Sequence, residues 1–171
     1  MQVIFSNCAY NAVVSEATDK VNSETGGVFL GCSENNTWYV VETIKPGPKA
    51  VFQEAYFEYD QQYVEFQINK AAQKYQAELT LVGNWHKHPG SYSEFSSTDD
   101  NTNSEYANLS DNGAVSILVN TDPDFRMTAY HVAWPLKYTK ITFDVGDNLI
   151  PEHLMQRIKS TRAQKKRINE Y

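Results

Sequence analysis

Cysteine is nearly missing from this chain. Cys8 and Cys32 are the only two in 171 residues, and they form neither a CxxC pair nor a disulfide framework. That excludes a disulfide-stapled secreted scaffold and fits a reduced, cytoplasmic setting, with each thiol read as a small buried residue. Long apolar runs are missing as well. No stretch approaches the roughly 20 residues that a bilayer demands. The start, MQVIFSNCAYN, lacks a basic segment followed by a long apolar one, so neither a membrane span nor a signal peptide is expected. Positive charge is also in deficit, with a formal net charge of −6. Residues 151–171 hold six Lys and Arg against two Glu, a surplus of four, so the part before them carries about −10. An acidic body argues against a nucleic-acid surface as the main function. Internal repeats and low-complexity segments are absent.

What is present is ordinary globular material. Hydrophobic residues make up 41% and charged residues 21%, which excludes a disordered chain. The length suits a single domain over residues 1–171 with a sizeable core. QVIFS reads as a short strand, and Asn7 to Val21 as a helix with Tyr10, Val13, Val14, Ala17 and Val21 at helical spacing. GGVFLGCS and TWYVVETI read as a hairpin joined by ENN. Pro46 and Pro48 lack backbone donors and interrupt any ladder. A second helix is expected over residues 60–76, with Val64, Ile68, Ala71 and Tyr75 on one face. ELTLVGNWH is mostly apolar and so reads as a central strand. SSTDDNTNSEYANLS opens with helix N-cap chemistry, Ser97 or Thr98 as cap and Asp99 in the first turn. AVSILVNT, FRMTAYHVAW and YTKITFDV add three strands. Pro151 opens a basic closing helix over residues 151–171, packed through Leu154, Ile158 and Ile168. The order of elements gives an α/β or α+β sheet with helices packed on it.

One stretch carries chemistry: NWHKHPGSYSEFSSTDD, residues 84–100. On a strand, residues i and i+2 share a face, so His86 and His88 present two imidazoles side by side. Pro89 cannot donate to a ladder, so the strand stops there, with both rings at its carboxyl end. Asp99 follows at a helix start, and the intervening loop is long enough to bring its carboxylate back to the rings. Two histidines and a carboxylate make a catalytic zinc set, which keeps one tetrahedral position for water and lowers that water's pKa to roughly 7. Non-heme iron uses the same donors, but hydrolysis on zinc needs no redox cofactor. The zinc deaminases are excluded, because their H-x-E and PCxxC are not here. Ser96 could supply an oxyanion donor, and spacing alone leaves Glu24, Glu42 and Glu94 open as the general base.

Together, Glu24 before TGGVFLG, then His86-x-His88-Pro89, then Ser96 and Asp99, resemble the signature of the JAMM (MPN+) metalloproteases. The resemblance implies a curved mixed sheet flanked by helices, similar to cytidine deaminases. It implies Zn²⁺ held by His86, His88 and Asp99, with Glu24 as general base and Ser96 helping to hold the oxyanion. It implies hydrolysis of an isopeptide or peptide bond after the C-terminal glycine of a ubiquitin-like protein or a conjugate. The partners would be that protein and the activating or conjugating enzymes of the same operon, in settings that include antiviral defence. Non-catalytic scaffolds and hydrolases of small amino-acid adducts in thiocarboxylate pathways are the other readings.

Outside the motif, Trp85 should point away from the ligands into the core. His131 and His153 read as packed or solvated. One of Tyr92 and Phe95 is expected to line a substrate channel. FQEAYFEYD reads as apolar packing at a helix start, with a groove wall as the other reading.

Overall fold

The computed structural model describes residues 1–158. In chain order it contains β1 (Gln2–Phe5), α1 (Asn7–Asp19), β2 (Thr25–Glu34), β3 (Thr37–Ile44), the short β4 (Val51–Gln53) and β5 (Tyr56–Glu58), and α2 (Gln61–Ala72). Then come β6 (Thr80–His88), α3 (Ser97–Ala107), β7 (Ala114–Asn120), β8 (Arg126–Ala133), β9 (Lys137–Val145), a 3-10 turn (Asp147–Leu149) and α4 (Glu152–Met155). The long strands run β1-β3-β2-β6-β7-β8-β9 and close through a parallel β1–β9 pairing. The mixed sheet is therefore curved all the way round. β6 sits between antiparallel β2 and parallel β7.

Local chemistry explains the boundaries. Asn35 and Asn36 turn β2 into β3 with φ of 50° and 60°, the double positive-φ turn that matches strand twist and that asparagine tolerates. Ser6 caps α1, its hydroxyl accepting from Ala9 N at 3.0 Å and donating to Val41 O at 2.8 Å. Asp60 caps α2, accepting from Tyr63 N at 3.2 Å.

The two faces of the sheet hold separate apolar clusters. Phe5, Phe29, Trp38, Trp85 and Ile117 pack on one face with Ala9, Val13 and Ala17 of α1. Val28, Leu30, Val41 and Ile44 pack on the other with Val64 and Ala71 of α2. Gly83 lets β6 lie close to β7: it adopts φ +155°, and a Cβ there would fall 1.9 Å from Val115 O. Gly83→Ala should cost about 1–3 kcal/mol in chemical denaturation, because the sheet must part to admit the methyl. An unchanged midpoint would mean that β6 and β7 are not so closely apposed.

Several expectations need correction. Among the described residues the closing helix is the one turn of α4. Gln156 is already extended, and Arg157 forms a bridge with Tyr75 while Ile158 N donates to Lys74 O at 2.8 Å. Backbone pairing with the end of the α2 segment has displaced helix propensity there. Leu154 is buried, but Ile158 is 56% exposed and does not pack as expected. Ile168 and the rest of the basic segment from residue 159 lie outside the described residues. α2 ends at Ala72 rather than at Gln76. Cys8 is exposed, not buried. Residues 51–58 form the β4–β5 hairpin, where no strand was expected. Among the described residues no helix is long and apolar enough to cross a membrane.

Candidate metal centre

Strand geometry delivers the first two groups. The His86 and His88 rings lie on one face of β6, centroids 4.9 Å apart, while Trp85 is fully buried in the cluster opposite. Register delivers the third. Thr25 pairs with Lys87, so Glu24, one residue upstream, comes level with His88 across the β2–β6 ladder. Its Oε2 lies 3.3 Å from His86 Nε2. Sixty residues of sequence collapse into one contact because antiparallel pairing aligns the start of β2 with the end of β6.

Helix capping delivers the fourth. Ser96, not Ser97 or Thr98, is the N-cap of α3, with extended backbone and its hydroxyl accepting from Asp99 N at 3.2 Å. Asp99 stands at N3 and completes a capping box, its Oδ2 accepting from Ser96 N at 2.7 Å. The same carboxylate reaches His88 Nε2 at 3.2 Å through Oδ2 and His86 Nε2 at 3.5 Å through Oδ1. Burial alone would raise the Asp99 pKa, but His88, His86 and the Ser96 hydrogen bonds together hold it at about 2. For His88, burial pulls the other way from its neighbours: it favours the neutral ring, yet Asp99 and Glu24 win and raise the pKa.

Glu24, His86 and His88 each present a ligand atom within 4.8 Å of the others, a set that could hold a metal ion. His86 Nε2 is buried with no hydrogen-bond partner, although two carboxylates face it. An electron-pair acceptor is what such an atom lacks, so the donor set fits a divalent cation. A proton on His88 competes with that cation. Zinc affinity, measured by chelator competition, should therefore fall as pH drops through the raised His88 pKa, with the decline beginning above 6.5. Asp99 stays ionised throughout that range. Affinity that holds flat to pH 5 would remove His88 from the ligand set.

A cavity of about 260 Å³ opens on this cluster, with Glu24, His86, Ser96 and Asp99 in its wall. Ser96 Oγ lies there with its proton given to Asp99 Oδ2 at 2.7 Å. The other possible bases are elsewhere: Glu42 accepts from Tyr75 OH at 2.6 Å and Glu94 is exposed outside the cavity wall. Phe95 lines the cavity, whereas Tyr92 is 77% exposed and does not line it. The β4–β5 hairpin supplies Ala55, Tyr56 and Phe57, so FQEAYFEYD is a cavity wall after all, with Phe57 edge-on to His86 at 5.9 Å. His131 packs on Trp38, and His153 is exposed beside Glu34.

A family model described as prokaryotic homologs of the JAB domain matches residues 7–136, which takes in all five site residues. The chain belongs to the JAB-domain family. The JAB family includes zinc metalloproteases, and its fold is the curved mixed sheet with helices seen here. Among solved structures the chain is similar to the solution structure of protein DSY2949 from Desulfitobacterium hafniense. The TM-score is 0.61 at 11% identity, over 86% of this chain and 97% of that one. At that identity the likeness speaks for the JAB fold alone. No curated protein matches the chain significantly.

Two features of this JAB site were not read from the sequence. The hairpin was missed because its turn, Glu54-Ala55, carries no glycine or asparagine. Lys87 was passed over as the spacer between two ligands. The only available signal was alternation, which sends it toward the core beside Trp85.

Proposed function

We propose that this JAB domain is a zinc-dependent isopeptidase or peptidase. Its substrate would be the bond after the C-terminal glycine of a ubiquitin-like protein or a conjugated protein. The observation that carries the reading is the convergence of Glu24, His86, His88 and Asp99 from three separate stretches of chain, with Glu24, His86 and Asp99 in the wall of one cavity.

His86, His88 and Asp99 are assigned as ligands. Asp99 reaches both rings and is locked by the capping box, as a ligand must be, whereas the Glu24 carboxylate touches only His86. Glu24 could ligate by distance, but a group held at one point is better suited to move protons. Bound zinc supplies a Lewis acid that lowers the pKa of water to roughly 7. Glu24 would accept a proton from the attacking water and return it to the leaving amine. The Ser96 hydroxyl turns from Asp99 to donate to the developing oxyanion. Asp99 Oδ2 keeps the Ser96 N–H bond, so the turn leaves the carboxylate anchored. Tyr56 and Phe57 offer an apolar wall for an extended tail.

The test is hydrolysis by zinc-loaded protein of glycine-terminated ubiquitin-like proteins, including any encoded in the same operon. Each is joined to a lysine side chain, a main-chain amine or a free amino acid. Cleavage of at least one is expected, abolished by chelator and restored by zinc. One bound zinc with no turnover on the cognate protein would place this chain with the non-catalytic members.

A further inference from the structure

We propose that Lys87, the residue between the two histidines, is a positioning residue for Glu24: its buried ammonium clamps the segment that leads into the base. This inference rests on the reading of Glu24 as the base. Lys87 is fully buried, with 0% exposure, on the face of β6 opposite the imidazoles. A lysine is almost never buried so deeply unless its charge is met. Here Nζ donates to three backbone carbonyls, Lys20 O, Val21 O at 2.8 Å and Ser23 O at 3.1 Å. Those three acceptors use its three N–H groups in full.

The acceptors lie in one short run of chain. They start at Lys20, the C-cap residue of α1, where a cation is favoured by the helix dipole. They then run up to the residue before Glu24. From the other side, Glu24 N donates to Gln53 O at 2.7 Å. The peptide group joining Ser23 to Glu24 is thus held on both sides, its carbonyl by the ammonium and its N–H by the β4–β5 hairpin. Within the segment the other backbone bond is the long one from Ser23 N to Lys20 O at 3.4 Å. Lys87 therefore ties the strand that presents the ligands to the loop that presents the base, and this tie adds to the β2–β6 register in holding Glu24 beside His86.

The experiment compares Lys87→Met, which fills the space without donors, with Lys87→Arg, which restores a cation. In zinc-loaded full-length protein, Lys87→Met should raise amide exchange over residues 21–24 by about tenfold. Zinc should stay at one per chain. On the glycine-terminated substrate kcat should fall about 10- to 100-fold with KM unchanged, and Lys87→Arg should recover most of both effects. In a Glu24→Gln background the same change should cost no further kcat, because the residue through which Lys87 acts is already gone. Wild-type exchange and kcat in folded Lys87→Met would overturn the proposal, as would an undiminished kcat loss in the Glu24→Gln background. Full turnover in Glu24→Gln alone would instead overturn the base assignment. If Lys87→Met does not fold, Lys87→Gln takes its place, and the same changes in exchange and kcat support or overturn the proposal.

Discussion

Glu24→Gln should lower kcat by about 10²- to 10⁴-fold while zinc remains bound at one per chain. Glutamine keeps the size and polar contact of the glutamate beside His86 but cannot accept a proton from water at neutral pH. Substrate binding does not use that proton, so KM should change little, and the loss should appear equally in kcat and kcat/KM. The metal readout matters as much as the rate. Glu24, His86 and His88 lie close enough together to make a ligand set by themselves. If zinc leaves with the carboxylate, Glu24 is a ligand and the base must be sought elsewhere.

Asp99→Ala should have the second large effect, on metal and stability together. The carboxylate meets both imidazoles and closes the capping box of α3. Its removal should abolish zinc binding and hydrolysis. It should also cost the metal-free protein about 1–3 kcal/mol, since His88 and the Ser96 amide lose a buried charged partner. The stability loss has a pH signature. The folded-state pKa of Asp99 is depressed, so its contribution is fully present above the ordinary value of 3.8 and disappears as pH falls toward about 2. The gap in unfolding free energy between wild type and Asp99→Ala should therefore be wide at pH 7 and close below pH 3.8. A gap that persists unchanged into acid would mean that Asp99 acts by packing and not by charge.

Parts of this site were legible in the sequence because their physics is local. Two histidines at i and i+2 before a proline must share a face at a strand end, and the structure shows the rings side by side. The spacing from Ser96 to Asp99 is that of a capping box, although the cap was expected one or two residues later. Ser97 and Thr98 are equally good caps in isolation. What decides for Ser96 is that only it puts Asp99 at N3, facing the rings. Glu24 was different. Only the glycines that follow it set it apart locally from Glu42 and Glu94; the family resemblance singled it out, and the register of β2 against β6 explains why. Lys87 was hidden by composition, since a lysine is read as solvated until three carbonyls are seen around it. The described part of the closing segment, up to Ile158, departed from helix for a related reason. Its helical pattern is real, but backbone pairing between Ile158 and Lys74 is tertiary and leaves no local mark.

In the proposed site His86, His88 and Asp99 hold zinc with Glu24 standing beside it. Anomalous diffraction at the zinc edge from crystals of the zinc-loaded protein tests this most directly. A single peak is expected within bonding distance of both Nε2 atoms and the Asp99 carboxylate, with Glu24 outside it. A peak bonded to Glu24 with Asp99 left on Ser96 alone, or no peak at these residues, would contradict it.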